Sequence, residues 1–65
     1  MIVETQKMYE VAYSDEQFIK DIQKEEPTTV IPNQESDDIS KTLFAAYYYG
    51  YLIGKGRYKK GMFAN

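Results

Sequence analysis

Hydrophobic and polar positions alternate at the start of the chain. From Val3 to Tyr13 the odd positions read Val3, Thr5, Lys7, Tyr9, Val11 and Tyr13, β-branched or aromatic with one exception, while Glu4, Gln6 and Glu10 fall on even positions. Period two with that composition predicts a strand over 3–13. The pattern then turns helical. Ser14-Asp15-Glu16-Gln17 has the form of a capping box, with the Ser14 hydroxyl accepting from the Gln17 amide and with Tyr13 and Phe18 at the staple positions. Phe18, Ile19 and Ile22 then share one stripe, Lys20, Gln23 and Lys24 face away, and Pro27 ends the helix near Glu26.

Thr28-Thr29-Val30-Ile31, closed by Pro32-Asn33, suits a short edge strand or an extended linker. Ser36, Asp37 and Asp38 then open a second helix, with two carboxylates at the positive end of its dipole. It is expected to run to Gly54 or Gly56, and from Asp37 to Lys55 it would be about 28 Å long, more than a domain this size needs for its own packing. The expected fold is a single small α+β domain over 1–65: an N-terminal strand, a short capped helix, a short extended segment, a long C-terminal helix and a tail over 58–65. A mostly α arrangement is the alternative. Two strands alone are marginal in water, and dimerisation would remedy that.

Composition narrows the chemistry. A chain of 65 residues buries only about 60% of the surface its unfolded form exposes, so its core supports a few kcal/mol and no deep cleft. It has no cysteine and no histidine, which removes disulfides, thiol nucleophiles, the common zinc sites and Ser/His/Asp chemistry. No enzyme, cofactor or metal site is expected. Met1-Ile2-Val3-Glu4 carries neither a basic nor an apolar leader region, so a cytoplasmic location is expected. The longest run without a charge, Thr42 to Gly54, falls short of the roughly 20 apolar residues that span a bilayer.

That run holds the strongest candidate for function. Ala46, Gly50 and Gly54 recur every fourth residue and form a small-residue ridge on the second helix, flanked by Leu43, Tyr47, Leu52 and Ile53. Such a ridge serves a helix–helix interface, in a homodimer or on a host protein, or it accommodates the chain's own first helix or strand. Glycine inside a helix costs about 1 kcal/mol against alanine, so two at this spacing call for a packing reason. Tyr47, Tyr48 and Tyr49 point about 100° apart, so at least one must be exposed. With Tyr51, Arg57 and Tyr58 they form an aromatic band of interface composition, or rings packed over a thin core with wet hydroxyls. The candidate partner-binding residues are Ala46, Tyr47, Tyr48, Tyr49, Gly50, Tyr51, Gly54, Arg57 and Tyr58.

Charge divides the chain. Eight acids and two bases lie between Ser14 and Asp38, whereas five bases and no acid follow Asp38. Either half could meet a partner of opposite sign, or the two could neutralise each other across a homodimer. Lys55, Arg57, Lys59 and Lys60, with Tyr51, Tyr58 and Phe63 interleaved, could grip a nucleic-acid backbone or simply solvate a helix end. A net charge of −2 and a pI near 4.9 argue against nucleic acid as the sole partner. Glu35, Asp37 and Asp38 lack the spacing of a calcium loop, and Gly54 to Gly61 matches no phosphate-binding motif.

The run Tyr48-Tyr49-Gly50-Tyr51-Leu52-Ile53-Gly54-Lys55 resembles the helical ends of small proteins carried by phages and mobile elements of low-GC Gram-positive bacteria. The likeness covers these eight residues and carries no functional residue with it. It implies a host-directed role, such as an inhibitor of a defence nuclease of the anti-CRISPR type, an antirepressor or a takeover factor. The expected function is a non-enzymatic interaction protein that binds and inhibits or redirects a larger host protein, with the long helix as its contact surface. The alternative is a nucleic-acid-associated transcriptional regulator or antirepressor using the basic tail.

Overall fold

The run that alternates like a strand is a helix. The computed structural model describes residues 3–63, and its elements are α1 (Val3–Ser14), α2 (Glu16–Glu25) and α3 (Asp38–Gly54). Among the described residues there is no strand, so the α+β expectation is corrected to the mostly α alternative. Tyr9 and Ala12 are buried and Thr5 and Met8 half-buried, an i, i+3, i+4, i+7 stripe that lay beneath the alternation. Gln6 adds a helical pair by donating to the Glu10 carboxylate at 3.0 Å. A strand here would need a ladder partner for its amides, and the other β-prone run is only Thr28 to Ile31, with Val30 exposed. A helix satisfies those groups within the segment, so local β preference yields.

The capping box is also displaced, by one residue. Ser14 is the last residue of α1, its hydroxyl donating to the Glu10 carbonyl at 3.0 Å, and Asp15 is the N-cap of α2, accepting from the Phe18 amide at 3.1 Å. A carboxylate beside the positive end of a helix dipole outcompetes a hydroxyl for that place. The shift takes Tyr13 out of the staple, and Tyr13 instead packs its ring beside Tyr9. The end of α2 agrees with the sequence: Glu26 caps it immediately before Pro27, and Phe18 and Ile22 are its buried residues.

Residues 26–37 form a linker, not an edge strand, and two core-facing polar groups fasten it. The buried Tyr9 hydroxyl donates to the Pro32 carbonyl at 3.1 Å, and Lys41 Nζ donates to the Gln34 carbonyl at 2.7 Å. Asp37 then caps α3 by accepting from the Ser40 amide at 2.7 Å. At the far end Gly56 takes φ 70°, which lets Arg57 N–H reach the Leu52 carbonyl and Gly56 N–H reach that of Ile53, closing α3 with a Schellman motif.

The core is aromatic. Tyr9, Ala12, Phe18, Ile22, Phe44, Ala45, Tyr48, Leu52 and Phe63 form one buried cluster. The Phe18 ring centroid lies 4.7 Å from that of Tyr48, 4.9 Å from that of Tyr51 and 5.4 Å from that of Phe44. The tail returns to this cluster, since Phe63 is buried against Tyr48. Met1, Ile2, Ala64 and Asn65 lie outside the described residues.

Candidate functional site

α3 turns Lys41, Phe44, Ala45, Tyr48 and Leu52 inward. Its opposite face carries Ile39, Leu43, Ala46, Gly50 and Ile53, spaced four and three residues apart in turn, with Tyr47 and Gly54 alongside. Ile39 is 73% exposed, Leu43 66% and Ile53 52%. Asp38 and Lys41 are the only charged residues of α3; Lys41 is buried under the linker and Asp38 borders the N-terminal end of the outer face beside Ile39 and Leu43, so α3 places no charge on that face from Ile39 to Ile53. A helix on the surface of a globular protein normally presents charged and polar side chains to water, and one apolar all round is normally covered. From Leu43 to Gly54 α3 carries no charged residue on any side, yet it is covered on one side alone.

The predicted small-residue ridge lies on that outer face. A Cβ built at Gly50 or at Gly54 would meet nothing within 4 Å, so neither glycine is required by packing against α1 or α2. Tyr47 and Tyr49 flank the face and are 41% and 40% exposed, and Tyr49 holds Tyr58 edge-on at 5.1 Å. Ala46, Tyr47, Tyr49, Gly50 and Gly54 therefore share the outer face and its borders. Sequence reasoning named Leu43 and Ile53 only as flanks and passed over Ile39; the four-three spacing from Ile39 to Ile53 was the signal that joins them.

Tyr48 is turned away into the core, and Tyr51 and Arg57 belong to a polar seam between α2 and the end of α3. The Tyr48 hydroxyl donates to Asp15 Oδ2 at 2.8 Å, Arg57 Nη2 meets the same oxygen at 3.3 Å, and the Tyr51 hydroxyl donates to Asp21 at 2.8 Å. Lys55 and Arg57 sit over the Tyr51 ring, 5.8 and 5.9 Å from its centroid. Burial works against the Asp15 charge, but the Phe18 amide, the Tyr48 hydroxyl and the Arg57 guanidinium prevail and hold its carboxyl below the usual range. Burial and the Asp15 carboxylate push Tyr48 up to about 12. The Tyr51 hydroxyl is the main reason that Asp21 is held low.

A tyrosine held in its protonated form and a carboxylate held in its charged form suit each other as donor and acceptor. The role of the seam is to clamp the start of α2 to the end of α3. It also joins part of the acidic half of the chain to part of the basic half, without a partner. An open depression of about 530 Å³ is bordered by Tyr13 of α1, by Glu16, Ile19, Lys20 and Gln23 of α2 and by Ile31 of the linker. No group of three or more acidic side chains among the described residues is arranged to hold a metal ion. No described helix is long and apolar enough to cross a membrane.

Comparison with protein-family models, curated proteins and solved structures finds no match to the chain. Its class is defined by its own geometry: among the described residues, three helices around an aromatic core, with an uncovered apolar face on α3 bordered by Asp38 and Glu25.

Proposed function

We propose that this protein is a non-enzymatic interaction protein that binds a larger host protein through the outer face of α3 and so inhibits or redirects it. The observation that carries the reading is the exposure of Ile39, Leu43 and Ile53 on a helix face without a charged side chain. Contiguous exposed apolar surface rimmed by polar residues marks interaction sites more often than it decorates a monomer. Tyr47 and Tyr49 at its border are of the residue type that carries binding energy at interfaces. The resemblance over 48–55 adds a phage-encoded inhibitor of a defence nuclease as the specific form of this role. The nucleic-acid reading keeps Lys55, Lys59 and Lys60 at the surface, but Arg57 is engaged by Asp15 and Phe63 by the core.

The test is affinity capture from a cell extract with the wild type and with Leu43→Glu, before and after nuclease treatment. Protein bands that survive nuclease and vanish with Leu43→Glu support the proposal. Bands lost with the nucleic acid, or held equally by both proteins, refute it.

A further inference from the structure

We infer that a second copy of this chain covers the outer face of α3 in the free protein, with the two α3 helices antiparallel and crossing near Ala46 and Gly50. The inference rests on the reading of that face as the contact surface and names what first occupies it.

The geometry is self-complementary. Ile39, Leu43, Ala46, Gly50 and Ile53 follow a heptad-like spacing over about 21 Å, with small residues in the middle and large aliphatic ones outside. A two-fold axis near the middle brings the small residues of both copies together, where the backbones can approach closely. Leu43 of each copy is then left beside the Ile53 end of the other. Charge selects the direction. Glu35, Asp37 and Asp38 lie at the start of α3, and Lys55, Lys59 and Lys60 lie at or beyond its end. Antiparallel packing sets acidic starts against basic ends and opposes the helix dipoles, whereas parallel packing would place like charges together.

The face that the second copy would cover is short, about 21 Å from Ile39 to Ile53, with Ile39, Leu43 and Ile53 each more than half exposed, so association should be weak and concentration-dependent. Such a dimer keeps the apolar face out of water and releases it to a tighter-binding target.

The chain has no cysteine, so a single introduced one reports only contacts between copies. Sedimentation equilibrium over a micromolar to millimolar range should show the mass rising from 7.6 kDa towards twice that value. Leu43→Glu and Gly50→Leu should each weaken association at least tenfold with helicity retained, and at dilution Gly50→Leu should melt no lower than wild type. A short bis-maleimide should join Ala46→Cys copies but not Ile39→Cys copies, whose residues would lie about 20 Å or more apart. Wild type that stays at 7.6 kDa throughout, or Ile39→Cys joined as readily as Ala46→Cys, overturns the inference. If wild type is monomeric while Leu43→Glu still abolishes nuclease-resistant capture, only the dimer falls. If capture is also unchanged, the interaction reading falls with it.

Discussion

Asp15 joins three roles in one side chain, so its loss should be costly for a residue at a helix boundary. One carboxylate oxygen caps α2 through the Phe18 amide, and the other accepts from the Tyr48 hydroxyl and from Arg57. Asp15→Ala removes a cap, at about 1 kcal/mol, and leaves the hydroxyl of a core tyrosine without its partner, at about 1–3 kcal/mol. The Arg57 pair is exposed on its arginine side and adds little. The expected loss is about 2–4 kcal/mol, against a total of about 3–10 kcal/mol for a domain of 65 residues. At about 4–8 °C per kcal/mol, the melting temperature should fall by about 8–32 °C.

Circular dichroism melts of wild type, Asp15→Ala, Asp15→Asn and the pair with Tyr48→Phe separate the contributions. Asparagine is as good a cap through its single oxygen, and its amide nitrogen, which cannot accept, can only donate to the Tyr48 hydroxyl oxygen, so Asp15→Asn should cost less than Asp15→Ala. Asp15→Ala combined with Tyr48→Phe should be less damaging than the sum of the two single changes, because the hydroxyl left unpaired by the first is removed by the second. The Asp15 carboxyl is held below its usual range in the folded state, so its contribution is present above that range and is lost as the pH falls through the folded value. The gap between wild type and Asp15→Ala should therefore narrow on acidification. An Asp15→Ala melt within about 2 °C of wild type, or strict additivity with Tyr48→Phe, would refute the reasoning.

Tyr48, raised from 10.0 to about 12, stabilises the fold fully below pH 10 and loses that contribution as the pH rises towards 12. Tyrosinate absorbance should show a late, cooperative step that Tyr48→Phe removes, and seven tyrosines titrating together near 10 would contradict it. Ser14→Ala should change stability by no more than about 0.5 kcal/mol in urea titration, since its hydroxyl is bonded back to the Glu10 carbonyl on an exposed helix end. Gly56→Ala should cost about 1 kcal/mol or more in the same titration, because a Cβ is strained at φ 70°.

The parts of the fold legible in the sequence are those with a local physical cause. Pro27 stops α2 one residue after Glu26, and the carboxylates at 37 and 38 open α3 at the place their dipole interaction favours. α1 is ambiguous in sequence because Val3, Thr5, Tyr9 and Val11 have strand preferences while Thr5, Met8, Tyr9 and Ala12 have helical spacing, and two periods fit the same twelve residues. What decides between them is non-local. Tyr9 and Ala12 are buried in the cluster shared with α2 and α3, and among the described residues there is no strand to pair with. The choice of cap is similar: Ser14 and Asp15 are both good capping residues, and the helix dipole together with the non-local contacts of Tyr48 and Arg57 with the carboxylate favours the second.

For the outer face, the sequence showed the residues but not their orientation. The Ala46, Gly50, Gly54 ridge and the aromatic run around it could have served the chain's own helices, and the three consecutive tyrosines had to be divided somehow between core and surface. The structure divides them: Tyr48 inward, Tyr47 and Tyr49 to the borders of the outer face. It also leaves both glycines without a neighbour to explain them. Two helix-weakening residues without an internal packing role, on a face that exposes Ile39, Leu43 and Ile53, cost stability in the isolated chain without return. Close approach of another helix supplies the missing reason, and it does so only if glycine, not alanine or leucine, is what the partner backbone meets. Gly50→Leu therefore separates the two accounts by sign: a glycine facing only water predicts a higher melting temperature and nothing else, whereas a glycine at a crossing predicts lost association with the fold intact.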